Sequence, residues 1–199
     1  GSSRADCTAI DLASHQGWFA VNMAKSGFQR VLGVDARESH VDDSRLIGSV
    51  YGLGNLEFQR SDIHALEAGD TGQFDVVLML GLLYHLEIPV GALRRCRELC
   101  RDLCVIETQI VPGITGHVDY GSYQYVKPLM GSFGIIDETT ETHGPEASIT
   151  GICLVPSLDA LVWILHAVGF SKVDVLEPPE DAYEQLKYHK RVMVAAQVL

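Results

Sequence analysis

The sequence of 199 residues predicts an α/β domain whose mostly parallel sheet is covered by helices on both faces. Three observations lead there. Short apolar runs rich in β-branched residues alternate with segments of helical period. One run, Phe74–Leu80 (FDVVLML), is unbroken, as suits a strand buried on both sides of a parallel sheet. Glycines and polar clusters punctuate the chain where each element should stop.

In chain order, 8–13 (TAIDLA) reads as a buried strand broken by Ser14-His15-Gln16-Gly17. Residues 18–26 follow as a helix with Phe19, Ala20, Met23 and Ala24 in period and Gly27 as the stop, and Trp18 is expected to pack it on the sheet. Next come strand 30–36 (RVLGVDA), helix 39–53 ended near Gly52 or Gly54, and strand 56–61. After strand 74–80, helix 89–101 carries Pro89 in its first turn, and 103–111 is a fifth strand. Residues 112–156 are rich in Gly, Thr, Tyr and His without a clear period, a length of irregular chain that usually forms a lid or a substrate loop. Ser157 caps a helix that stops at Gly169, and 172–176 and 191–198 are the last two strands. The organisation is one domain, 1–199, with 112–156 as an insertion; the start of the chain almost at its first core strand fits a domain excised from a longer protein.

Composition narrows the function classes. Lys plus Arg number 15 against 26 Asp plus Glu, a formal charge of −11, which disfavours a general nucleic-acid binder. At 47% hydrophobic and 21% charged the chain is globular rather than disordered. It has no run of about 18 apolar residues that would span a membrane, and Gly1-Ser2-Ser3-Arg4 holds no signal-peptide core, so a cytoplasmic protein is expected. The five cysteines form no CxxC pair. Cys96 and Cys100 are expected on one helix face, as small apolar side chains in a reducing compartment.

In an open α/β sheet ligands bind beyond the carboxyl ends of the strands. Those ends read Asp11-Leu12-Ala13, Asp35, Ser61-Asp62-Ile63, Gly81-Leu82-Leu83-Tyr84-His85 and Glu107-Thr108-Gln109. Acids after the first three strands suit a ligand with a cationic amino-acid tail, a ribose diol and an adenine amine. On these segments, and above all on the run FDVVLMLGLLYHLEIP, the chain resembles the class I S-adenosylmethionine-dependent methyltransferases over nearly its whole length. The resemblance implies a three-layer Rossmann-like fold, its seven-stranded sheet mostly parallel with an antiparallel C-terminal hairpin. It implies S-adenosyl-L-methionine as cofactor, held by Asp11, Ala13, Ser14, His15, Gln16 and Gly17 of the first loop. Asp35, Ala36 and Arg37 would hold the ribose and Asp62 and Ile63 the adenine, with Leu80 and Gly81 also binding the cofactor. The family's first motif keeps only its last glycine here; Ala13 and His15 stand where it has glycines.

Methyl transfer to a hydroxyl needs a base. His85 is either that base or an orienting residue, and Glu107 is its expected acid-base partner. Tyr84, His117, Tyr123, Tyr125, Lys127 and His143 are expected around the substrate. No ligand spacing demands a metal. LLYHL resembles a subset that includes tRNA wobble-uridine carboxymethyltransferases and methyltransferases of small molecules or glycans. The expected reaction is methylation of an oxygen or nitrogen of a small molecule or glycan. A tRNA-modifying enzyme and a non-catalytic scaffold are the alternatives; oligomeric state stays open. A nicotinamide-dependent oxidoreductase would need a G-x-G-x-x-G turn, which is missing.

Overall fold

The computed structural model describes the chain apart from residues 1, 2, 120, 122–125, 140, 142, 143, 145, 146, 149 and 199. In chain order the core elements are β1 (Thr8–Leu12), α1 (Trp18–Lys25), β2 (Arg30–Asp35), α2 (Glu38–Tyr51), β3 (Leu56–Arg60), α3 (Ala68–Thr71), β4 (Phe74–Leu80), α4 (Pro89–Leu99) and β5 (Cys100–Gln109). There follow β6 (Gly116–Asp119), β7 (Val126–Leu129), β8 (Phe133–Asp137), β9 (Ile152–Pro156), α5 (Leu158–Ala167), β10 (Lys172–Leu176), α6 (Glu184–Lys187) and β11 (Arg191–Gln197). Seven strands form one sheet in the order β10-β11-β5-β4-β1-β2-β3. Pairing is parallel from β3 through β5, and β11 runs antiparallel to both β5 and β10.

The two sheet faces differ. One packs Ile10, Leu12, Val77, Met79, Cys104 and Ile106 against Leu93, Cys96 and Leu99 of α4 and Leu161 and Leu165 of α5. The other buries Ala9 and Val31 under Ala20 and Ala24 of α1, with Phe58 and Leu56 at its edge. Small residues are required there. A Cβ on Gly33 would lie 2.4 Å from the Phe58 ring, and one on Gly17 2.7 Å from it. Gly17 also holds φ 81 as the N-cap of α1.

Three expectations are corrected. Trp18 is 74% exposed; α1 buries Ala20, Val21 and Ala24 instead, and at 100° per residue Trp18 points about 200° away from Ala20. Helix α4 ends at Leu99, and Cys100 is extended (φ −95°, ψ 128°) as the first residue of β5. Cys96 and Cys100 therefore share no helix face, though both are buried. The insertion is not irregular throughout: β6 with β7 and β8 with β9 form antiparallel two-stranded ribbons. Their alternation is masked in the sequence because Ile135, Ile136 and Ile152 are apolar yet exposed.

Asp11 sits at the β1–α1 interface, 2% exposed, with Oδ2 lacking a hydrogen-bond partner among the described residues. Burial pushes its carboxyl from the ordinary 3.8 up to about 7; the Ala20 amide pulls the other way and Asp35 pushes further up. A carboxyl raised in the folded state stabilises fully below its unfolded value, and that contribution is lost as pH rises through the folded one. Asp11→Asn should therefore flatten a decline in stability between about pH 4 and pH 7 by up to about 4 kcal/mol. Urea unfolding of both proteins across that window checks this; parallel pH profiles would refute it. Gly33→Ala should lower stability by about 1–3 kcal/mol through overpacking, and Phe58→Leu should recover part of the loss in the double variant, read from the same unfolding curves.

Candidate active site

The strand order reverses at β1: β2 lies on one side of it, and the chain crosses from β3 to β4 on the other. Such a switch point opens a crevice at the carboxyl ends of the strands. A cavity of about 370 Å³ lies there. Of the residues expected from sequence, Ala13, His15, Asp35, Ala36 and Arg37 line it on the β1–β2 side. Asp62 and Ile63 line it after β3, and Leu80, Gly81 and His85 after β4. Ala147, Ser148 and Thr150 of the insertion complete the wall.

The loop after β1 keeps a glycine-like path without the glycines. Ala13 (φ 59°), His15 (φ 51°) and Gly17 (φ 81°) alternate in the left-handed region, which side chains other than glycine enter at a cost. Hydrogen bonds hold it. Ser14 N–H donates to the Val34 carbonyl at 2.9 Å, the Ser44 hydroxyl to the His15 carbonyl at 3.0 Å, and His15 N–H to Asp35 Oδ2 at 2.9 Å. Asp35 Oδ1 accepts from Arg37 N–H at 2.9 Å and lies 3.2 Å from His40 Nδ1. The His40 ring in turn packs on His15, centroids 4.1 Å apart.

These donors use most of Asp35's acceptor capacity. A carboxylate offers about four lone-pair sites, so the position left on Oδ2 suits one hydroxyl. Asp62 Oδ1 caps the following turn through His64 N–H at 2.7 Å. The Arg37 guanidinium reaches over to the Ala147 carbonyl at 3.4 Å and so ties the start of α2 to the insertion.

His85 brings an acid that sequence reasoning missed. Its Nδ1 lies 2.6 Å from Oε2 of Glu138, which follows β8 and is 2% exposed. The same oxygen accepts from Ser148 N–H at 2.8 Å and faces the Cys153 thiol at 3.3 Å. Burial alone would raise the Glu138 carboxyl; His85, the Ser148 amide and Cys153 outweigh it and hold it below its ordinary value. The one signal in the sequence was an acid closing an apolar β-like run, FGIIDE.

Glu107 is not the partner of His85. It receives Arg191 Nη1 on both oxygens, at 3.1 and 3.3 Å, while Arg191 Nη2 donates to the Tyr84 hydroxyl and the guanidinium lies 4.6 Å over the Tyr84 ring. Burial raises the Glu107 carboxyl, with Arg191 opposing. Tyr84 is thus engaged by Arg191 beside the crevice rather than in its lining. Asp11, Ser14, Gln16 and Gly17 also stay out of the lining. Ser14 is buried beneath the loop, Gln16 donates outward to Asp43 at 3.1 Å, and Gly17 is glycine for its contact with Phe58. His117 and Lys127 belong to the β6–β7 ribbon, away from the cavity wall. Tyr123, Tyr125 and His143 lie outside the described residues. Among the described residues no group of three His, Cys, Asp or Glu side chains converges as a metal site, and no helix is long and apolar enough to cross a membrane.

Known proteins share parts of this sequence and its fold. Residues 9–102 match a family model described as a methyltransferase domain. A tRNA U34 carboxymethyltransferase of Desulfotalea psychrophila is 25% identical over 167 residues, 83% of this chain and 45% of that protein. A ubiquinone biosynthesis O-methyltransferase of Acinetobacter baylyi is 26% identical over 92 residues, 46% of this chain and 38% of that protein. The chain thus spans less than half the length of these relatives. Among solved structures, the N-terminal domain of EvdMO1 with SAH bound superposes with a TM-score of 0.72 at 21% identity, covering 97% of this chain and 75% of that one. A methyltransferase from Mesorhizobium loti gives 0.68 at 16% identity over 98% and 93%. Residues 9–102 thus match a methyltransferase domain, and the strand order with its antiparallel last strand is the fold these solved structures share.

Proposed function

We propose that this domain moves a methyl group from S-adenosylmethionine to an oxygen or nitrogen of a small molecule or glycan. One observation carries the reading: the crevice at the switch point has in its wall a histidine, His85, whose Nδ1 is held by a buried carboxylate.

The lining suits the cofactor. A cavity of about 370 Å³ is within the range of small-molecule sites, roughly 300–1,000 Å³. Asp35 offers a hydroxyl acceptor, Asp62 a second carboxylate, and Ile63 and Leu86 an apolar wall for a flat ring. When bound, the cofactor supplies a methyl group activated by a positively charged sulfur. The protein's part is to align acceptor and methyl, which supplies much of the rate of a displacement. Leu80, Leu82 and Leu86 keep water from that end of the crevice. Proton exchange with the acceptor falls to Nε2 of His85, since Nδ1 is committed to Glu138.

The charge of the lining favours a small acceptor over tRNA. Asp35, Asp62 and Glu87 face Arg37 there, and the whole chain carries −11, so phosphates find little to neutralise them. The tRNA reading keeps the support of the Desulfotalea relative. Against a scaffold role, the loop carrying Ala13 and His15 leaves the crevice open. Five unpaired cysteines, four of them buried, suit a reducing compartment such as the cytoplasm.

Calorimetry with SAH, the demethylated product, tests the reading: saturable binding is expected, and none up to millimolar concentration would overturn it. Asp35→Ala should weaken that binding about tenfold or more, since a hydrogen bond to a charged group contributes about 1.5–3 kcal/mol. His85→Gln should leave SAH affinity within about twofold while slowing methyl transfer by about 10²–10⁴. Transfer of radiolabelled methyl to a panel of phenols, sugars, amines and bulk tRNA reads this out, and a tRNA product would replace the small-molecule acceptor.

A further inference from the structure

We infer that Glu138 is a positioning residue for methyl transfer: it fixes the proton of His85 on Nδ1 and so presents Nε2 as the base. The inference rests on the methyl-transfer reading above and adds a residue to it.

The geometry carries the argument. Oε2 of Glu138 faces three donors at once: His85 Nδ1 at 2.6 Å, Ser148 N–H at 2.8 Å and the Cys153 thiol at 3.3 Å. An ionised carboxylate only accepts, so the ring nitrogen facing it must carry hydrogen. The neutral imidazole then has its lone pair on Nε2. Acid and ring are each anchored by backbone. Glu138 N–H donates to the Gly151 carbonyl at 2.9 Å, and Leu154 N–H of β9 donates to the Leu86 carbonyl at 3.0 Å, one residue past His85. The β8–β9 ribbon is thereby pinned to the turn that carries the histidine.

Other aromatic and charged groups stand close to the ring. Tyr84 packs on the His85 ring, centroids 4.1 Å apart. Behind it Arg191 and Glu107 pair with each other, and Glu87 is the other acid in that stretch of the wall. As the acceptor atom gives an electron pair to the methyl carbon, the carbon–sulfur pair returns to sulfur and the acceptor's proton moves to Nε2. The resulting imidazolium lies against the Glu138 carboxylate, which needs no rearrangement to stabilise it.

Long-range proton–nitrogen NMR of the ¹⁵N-histidine protein at pH 8, with His85 assigned by its absence in His85→Gln, reads the tautomer directly. A single Nδ1–H form is expected in the wild type, retained in Glu138→Gln, whose amide oxygen still accepts, and replaced by a mixture in Glu138→Leu. An Nε2–H form in the wild type, which needs no variant to fold, overturns the inference, as does a folded Glu138→Leu protein with an unchanged pattern. Calorimetry with SAH on the same wild-type sample separates the two readings. Binding with the wrong tautomer removes the role of Glu138 alone, and no binding removes methyl transfer itself.

Discussion

The carboxylate of Asp35 is the joint on which the crevice depends. It ends β2 almost fully buried and gathers donors from two directions: the loop after β1 through His15 N–H, and the start of α2 through Arg37 N–H and the His40 ring. A buried ionised group is tolerable only with such compensation. The compensation also does structural work, because it sets the path of both loops that border the cavity. From Arg37 the chain of contacts continues to the Ala147 carbonyl, and so to the insertion. One strand-end acid thus fixes three of the segments that surround the site.

The His85 turn is the second junction. It sits where β4 leaves the sheet, and the β8–β9 ribbon meets it through one backbone and one side-chain hydrogen bond. The neighbouring ionic cluster has a separate task. Arg191 opens β11, the antiparallel strand, and joins Glu107 of β5 to Tyr84 beside the histidine. Both ions are largely buried, an arrangement that stabilises little by itself but is strongly disrupted when one member is lost. It braces the wall next to His85 from the sheet side, as Glu138 does from the insertion side.

How legible the site was in the sequence follows from contact range. Strands β1, β2, β4 and β5 were readable because their buried residues leave apolar runs, β3 because its residues alternate, and the strand-end acids could be placed from topology alone. The histidine after β4 came with the same register. Glu138 was not readable, since its role depends on a pairing 53 residues distant in sequence and on a ribbon whose exposed isoleucines blur the alternation. Gly17 was read as a cofactor glycine because it was the motif's survivor; its φ of 81° and the Phe58 ring 2.7 Å from a would-be Cβ are local demands that the sequence does not display. Glu107 was assigned to His85 by strand-end proximity; only the last strand, arriving from the end of the chain with Arg191, decides its partner.

The altered first loop bears most directly on whether the site is a working one. Left-handed backbone at a residue with a Cβ costs about 1–2 kcal/mol, and Ala13 and His15 both adopt it. Local hydrogen bonds hold the loop in that path. The charge-assisted bond from His15 N–H to Asp35 contributes about 1.5–3 kcal/mol, enough to offset the strain at His15, and the His15–His40 ring contact adds packing that glycine would lack. Strain retained at the rim of a cavity and balanced by a buried carboxylate is the pattern of a preorganised ligand site. The loss of the glycines therefore changes how the loop is held and leaves its left-handed path in place.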